Sequence, residues 1–170
     1  MKVILKNLKI IKQKCKKIKL ILTDVDGVLT DGGMYYSECG EIMKKFNTRD
    51  GMAVELLSKQ KINTIIITRE NSKIVKSRGK KIKVHKTYVG ILQKELLLDE
   101  ILSKSGLKLD NIAYVGDDVN DYEIMKRCGF SCSPNDATKK IKNISDYICN
   151  KNGGDGVLRE VADLILDLRN

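Results

Sequence analysis

Three short segments, residues 18–23, 64–68 and 112–115, are almost wholly apolar and lack polar alternation. A strand buried on both faces reads this way, because neither side has to meet water. Helical periodicity covers about residues 50–60, 71–81, 91–105, 118–128 and 155–168. Buried strands alternating with helices predict an α/β fold, a Rossmann-like doubly wound parallel sheet. Weaker strands are expected at residues 87–88, 130–133 and 147–148. Residues 33–47 break the alternation: two polar-apolar runs flank a turn at 38–40, which predicts a β-hairpin projecting from the first strand-helix connection.

Before Leu20 the pattern changes again. Lysines crowd residues 1–17, interleaved with Leu5, Leu8, Ile11, Cys15 and Ile18 at helical spacing, so a basic helix with a narrow apolar stripe is expected to pack on the domain. The stripe has no aromatic residue and a core strand follows at once, which argues against a helix lying on a membrane. No apolar run is long enough to span a bilayer, and lysines interrupt anything resembling a signal peptide, so the expected location is the cytoplasm. With 170 residues and no internal repeat or composition break, one domain is expected, ending in a glycine-rich turn and helix over residues 153–170.

Charge changes the picture less than its size suggests. The net formal charge is +10, from 32 Lys and Arg against 22 Asp and Glu, but the excess is mostly lysine spread over the chain. Six Tyr and two Phe offer few stacking platforms, so nucleic acid is not an expected partner. Five cysteines form no CxxC pair and fit reduced thiols. His85 is the sole histidine, so acid-base chemistry falls to carboxylates.

In open α/β sheets, reactive groups gather beyond the carboxyl ends of the strands. Asp24 and Asp26 follow the first strand, Thr68 ends the second, and Gly116-Asp117-Asp118 with Asp121 follow the third, while Lys94 opens a helix between them. One residue separates Asp24 from Asp26, so in extended backbone both side chains leave one face, and Gly27 lets the chain turn away beneath a ligand. Such a carboxylate cluster repels itself unless a cation is bound, and oxygen donors beside a phosphate suit Mg2+. Asp117 completes the expected metal site. A carboxylate can then attack an anionic phosphate ester: Asp24 is the expected nucleophile, Asp26 the general acid and base, and Thr68 and Lys94 the groups that hold phosphoryl oxygens.

At these residues the chain resembles the haloacid dehalogenase superfamily, whose four motifs match Asp24-Val25-Asp26-Gly27-Val28, Thr68, Lys94 and Gly116-Asp117-Asp118-Val119-Asn120-Asp121 in order. An acid at position 26 is similar to the superfamily's phosphatases. The resemblance implies Mg2+ bound through Asp24, the backbone carbonyl of Asp26 and an acid among Asp117, Asp118 and Asp121. A narrower resemblance is to the 3-deoxy-D-manno-octulosonate 8-phosphate phosphatases. It is carried by residues 24–32, Phe46-Asn47-Thr48-Arg49-Asp50-Gly51, Ser72-Lys73-Ile74-Val75 and the tail from Gly153 to Glu160. It implies a keto-sugar-acid phosphate as substrate and substrate contacts from Asp26, Asn47, Thr48, Arg49, Asp50, Gly51, Glu70, Arg78 and Lys94. It also implies a homotetramer without a cap domain, in which hairpins assemble and a neighbour's glycine-rich tail closes each site. The short spacings from Asp24 to Thr68 and from Thr68 to Lys94 agree, since they leave no room for a lid.

Two departures keep the substrate open. The octulosonate enzymes usually read Thr-Gly-Arg where this chain has Thr68-Arg69-Glu70, and Glu55 stands where an arginine is usual. The glutamate resembles relatives that act on nine-carbon keto-sugar phosphates, including a domain fused to some sialic-acid cytidylyltransferases. Two other classes fit the sequence less well. A phosphoacceptor receiver domain has a different order of acidic pair, Thr and Lys. A catalytically silent oligomerisation domain would have lost the carboxylates that are present here.

Overall fold

The computed structural model describes the backbone of residues 2–169 and side chains from Leu8 onward. Six strands form one parallel sheet in the order β5-β4-β1-β6-β7-β8: β1 Leu20–Thr23, β4 Asn63–Ile67, β5 Lys86–Tyr88, β6 Ile112–Val115, β7 Phe130–Ser133 and β8 Tyr147–Ile148. The helices are α1 Lys2–Lys17, α2 Thr48–Lys59, α3 Lys73–Lys81, α4 Lys94–Ser105, α5 Tyr122–Arg127, α6 Lys139–Lys142 and α7 Val157–Arg169. The four-residue α6 has no counterpart in the sequence reading, because one turn is too short to establish a helical period. The expected helix over 118–128 is split into a 3-10 turn, Val119–Asp121, and α5.

Strand residues alternate between two cores. Ile21, Ile66, Ala113, Val115, Phe130 and Cys132 pack with Ala53, Val54 and Leu57 of α2 and Leu158, Val161 and Ile165 of α7. Leu20, Leu22, Ile65, Ile67, Ile112 and Tyr114 pack with Leu97, Leu98 and Ile101 of α4 and with Ile124 and Met125 of α5. Both faces are covered, which is why the strands read as continuous apolar runs. The N-terminal helix uses only the end of its stripe: Cys15 is buried and Ile11 half-buried, Leu8 is exposed, and the Leu5 side chain lies outside the described residues. Lys14 closes the contact with an ion pair to Asp146 at 2.5 Å.

Register brings the chemistry together. Thr23 at the end of β1 pairs with Ile66 of β4 on one side and Val115 of β6 on the other. The residues that follow these strands therefore emerge side by side, at the point where the winding direction reverses about β1. The hairpin pairs β2, Tyr35–Ser37, with β3, Gly40–Met43, in a separate antiparallel sheet.

Candidate active site

Asp24 leaves β1 into a nearly closed environment. Its Oδ1 accepts the backbone N–H of Val25 at 2.7 Å, and its Oδ2 lies 2.8 Å from the Lys94 ammonium. Lys94 starts α4 fully buried and also reaches Asp121 Oδ1 at 2.7 Å. Asp121 is anchored three times over: Tyr114 Oη donates to Oδ1 at 2.7 Å and the Asp117 N–H to Oδ2 at 3.1 Å. A buried lysine between two buried carboxylates is stable only as a satisfied network, since any member left alone would be a desolvated charge.

One cation does not balance the acids around it. Carboxylate oxygens of Asp24, Asp117 and Asp121 all lie within 4.8 Å of one another. Burial pushes Asp24 up to about 7, with the Asp121 charge adding and Lys94 opposing. Burial likewise pushes Asp117 up to about 8, with the charges of Asp24, Asp121 and Asp118 adding. Gly27, at φ +84°, passes so close that an added Cβ would sit 2.0 Å from Asp117 Oδ2. An all-oxygen donor set, mutual repulsion and a glycine that clears the space fit a hard divalent cation. Asp118 stands apart from this cluster: it is exposed, and its Oδ1 accepts its neighbour's Val119 N–H at 2.7 Å.

Asp26 is wired differently. Its Oδ1 accepts from Lys44 Nζ at 2.6 Å and from Thr30 Oγ1 at 3.2 Å, whereas its buried Oδ2 has no hydrogen-bond partner. Thr68 follows β4 directly and is buried, and its Oγ1 accepts the Glu70 N–H at 3.2 Å, which leaves the hydroxyl proton free to donate. These residues line an open cleft of about 390 Å³ together with Asp31, Arg69, Glu70, Asn120 and Asp136.

Most residues named from sequence as substrate contacts are elsewhere in the chain's own structure. Asn47 caps α2 by accepting the Arg49 N–H at 3.0 Å and donates to the Gly154 carbonyl at 3.1 Å. Arg78 donates to the Asn47 carbonyl at 2.9 Å and stacks over Phe46. Asp50 is buried, accepts the Arg159 N–H at 3.0 Å and is pushed up to about 6 by burial. Thr48 and Arg49 are exposed and line other grooves, as does Gly51. Only Asp26, Glu70 and Lys94 of that set are at or against the cleft. The glycine-rich tail begins tightly packed: a Cβ on Gly153 would lie 2.3 Å from the Gly27 carbonyl oxygen, and on Gly154 2.7 Å from Asp31 N. The turn 153–154 is thus packed against its own chain's loop and braces it. Asn120 is marked in the sequence only as part of the Gly116–Asp121 motif, and nothing local marks Lys44 or Asp136, since lysines are everywhere in this chain and only folding brings Lys44 to Asp26.

The site and sheet define a hydrolase of the haloacid dehalogenase-like class, and residues 52–161 match that hydrolase family. The 3-deoxy-D-manno-octulosonate 8-phosphate phosphatase KdsC of Haemophilus influenzae is 35% identical over 154 residues, 91% of this chain and 86% of that protein. The Escherichia coli KdsC is 37% identical over 153 residues, 90% of this chain and 81% of its own. A crystal structure of the Moraxella catarrhalis 3-deoxy-D-manno-octulosonate 8-phosphate phosphatase, in complex with magnesium, phosphate and KDO, superposes with a TM-score of 0.91 at 37% identity, covering 94% of this chain and 92% of that one. The chain belongs to the 3-deoxy-D-manno-octulosonate 8-phosphate phosphatase family and is a phosphoric monoester hydrolase.

Proposed function

We propose that this chain releases phosphate from 3-deoxy-D-manno-octulosonate 8-phosphate, with Asp24 as nucleophile and Asp26 as general acid and base. The observation that carries the reading is the unequal wiring of the two carboxylates. Asp24 is held by Lys94 and Val25 inside the acidic cluster, and Asp26 stands outside it with one oxygen free.

In the first step an Asp24 oxygen attacks phosphorus, the ester P–O bond breaks, and Asp26 gives its proton to the departing alkoxide. In the second, water attacks the acyl phosphate on Asp24 and passes a proton to Asp26. The Thr68 hydroxyl donates to a phosphoryl oxygen, while the Lys94 ammonium keeps Asp24 oriented and offsets charge beside it. Asp24, Asp117 and the Asp26 backbone carbonyl would hold Mg2+, which would neutralise phosphoryl charge and let an anionic nucleophile approach an anionic ester. Asp121, saturated by three donors, serves as the anchor of this set, and Asp118 shapes the turn that presents Asp117.

Among the described residues, the lining of a single chain's cleft carries Asp24, Asp26, Asp31, Glu70, Asp117, Asp118 and Asp136 against one cation, Arg69, while Lys94 and Lys44 behind it are already paired with acids. A sugar acid bearing both carboxylate and phosphate needs more positive charge than that. This supports completion by a neighbouring chain in a homotetramer, as do the short spacings from Asp24 to Thr68 and from Thr68 to Lys94. Cations such as Arg49 and Arg78 lie outside the chain's own cleft and are candidates for a neighbour's. The exposed Met34, Tyr36, Ile42 and Met43 of the hairpin supply an apolar surface for assembly. Five free cysteines support a reducing, cytoplasmic setting.

A second reading rests on Glu70. Its exposed position on the cleft puts a carboxylate where a cation would serve a second anionic group, which favours a nine-carbon 9-phosphate with more hydroxyls to accept from. The test is phosphate release from the eight- and nine-carbon phosphates side by side, with and without Mg2+. Preference for the first supports the main reading and preference for the second replaces it. Release from neither sinks both and leaves an assembly role. Asp24→Asn should lower the rate by on the order of 10⁴-fold or more.

A further inference from the structure

We infer that Lys44, carried by the hairpin, is a positioning residue for Asp26, fixing which carboxylate oxygen holds the transferable proton and neutralising that carboxylate once the proton has left. The inference rests on the acid-base role proposed for Asp26.

Lys44 follows β3 and is the only buried residue between Asp31 and Lys45. Its side chain has no exposed surface, and its ammonium lies 2.6 Å from Asp26 Oδ1 and 2.7 Å from Glu41 Oε1. Burying an ammonium is costly unless it is fully paired, so a lysine spent here has a task other than solubility. Burial opposes its charge, but the bonds to Asp26 and Glu41 prevail and hold the ammonium above its ordinary value. Glu41 Oε2 in turn accepts Ser72 Oγ–H at 2.5 Å, and Ser72 Oγ caps α3 by accepting the Val75 N–H at 3.4 Å. A line of polar contacts thus runs from the start of α3 through the hairpin to the catalytic loop.

The consequence is an asymmetry in one carboxyl group. Both donors, Lys44 and Thr30, bind Oδ1, and buried Oδ2 has none. A proton on Oδ1 would face a cation, so the proton belongs on Oδ2. When the O–H bond at Oδ2 breaks and one forms at the leaving alkoxide, the negative charge left on Asp26 is already paired at Oδ1. The second step reverses the transfer, with water's proton returning to Oδ2.

A leaving group that is stable as an anion needs no proton, which separates this role from a structural one. Lys44→Met should cut kcat on a primary alkyl phosphate, such as the sugar 8-phosphate, roughly ten- to hundredfold further than kcat on p-nitrophenyl phosphate, a part of the roughly hundred- to ten-thousandfold that a general acid itself contributes. Both rates come from one sample, so their ratio is independent of the fraction that folds. Asp26→Asn is the reference. If it shows the leaving-group dependence and Lys44→Met lowers both rates equally, or neither, the inference is overturned and the acid role stands. If Asp26→Asn itself lowers both equally, the acid role fails.

Discussion

The carboxyl end of the central sheet and the hairpin beside it both bury a lysine between two acids, with opposite surroundings. Lys94 sits in the finished core, between Asp24 and Asp121, on elements fixed by long strands and helices. Lys44 sits at the base of a two-stranded ribbon whose own side chains are mostly exposed, including Tyr36, Ile42 and Met43. An isolated hairpin of this length is marginal in water. The sheet therefore holds Asp24 and its partners on rigid parts. The hairpin is tied to the domain by a few polar contacts, Lys44 on Asp26, Lys45 on Asp31 and Glu41 on Ser72, and presents an apolar face outward.

The sharpest way to break this comparison is Lys94→Met. It strands the buried carboxylates of Asp24 and Asp121, and should destabilise the protein by about 3–5 kcal/mol in urea unfolding, with activity lost as well. A loss near zero would mean that the acids protonate without cost and that Lys94 is not structural.

The next effect concerns metal and pH. Asp24 and Asp117 are both raised from 3.8 in the folded state, to about 7 and about 8, chiefly by burial. A carboxyl raised on folding favours the folded state only while protonated. Metal-free protein should therefore be most stable below pH 4 as far as these two groups decide it, and lose that stability as pH climbs from about 4 to 8. Mg2+ competes with the protons, so its gain in melting temperature should be larger at pH 8 than at pH 5. At a hundredfold excess over Kd it adds about 2.7 kcal/mol. An equal shift at both pH values would show that the ion binds away from these acids.

The smallest effect on folding should come from Ile42→Lys on the hairpin, within about 0.5 kcal/mol because the residue is exposed. Its effect on assembly should be large. Light scattering is expected to give a smaller species than the unsubstituted chain, with phosphate release reduced. An unchanged mass would remove the hairpin from the interface.

The parallel sheet was legible because its strands are buried on both faces, and 112–115, 130–133 and 147–148 fall on strands with those bounds. The candidate site was legible for a related reason: Asp24 and Thr68 follow their strands directly and Asp117 comes one residue after its own, so topology alone delivers them to one edge. The segment from Phe46 to Gly51 was not legible in this way. Its motif reads as a ligand contact, but within the chain Asn47 and Asp50 are spent on Gly154 and Arg159, contacts that span most of the sequence. Local pattern carries no information about such partners.

By itself, then, the chain's pattern determined the sheet, the hairpin and the acids that converge beyond β1, because these depend on periodicity and on the few residues at strand ends. Only tertiary structure decided which acids share a cation, that Asp121 is saturated while Asp118 is solvent-exposed, and that one lysine among many is buried against Asp26. Charge pairing and desolvation act through space over a few ångströms, and those distances exist only once the chain has closed on itself.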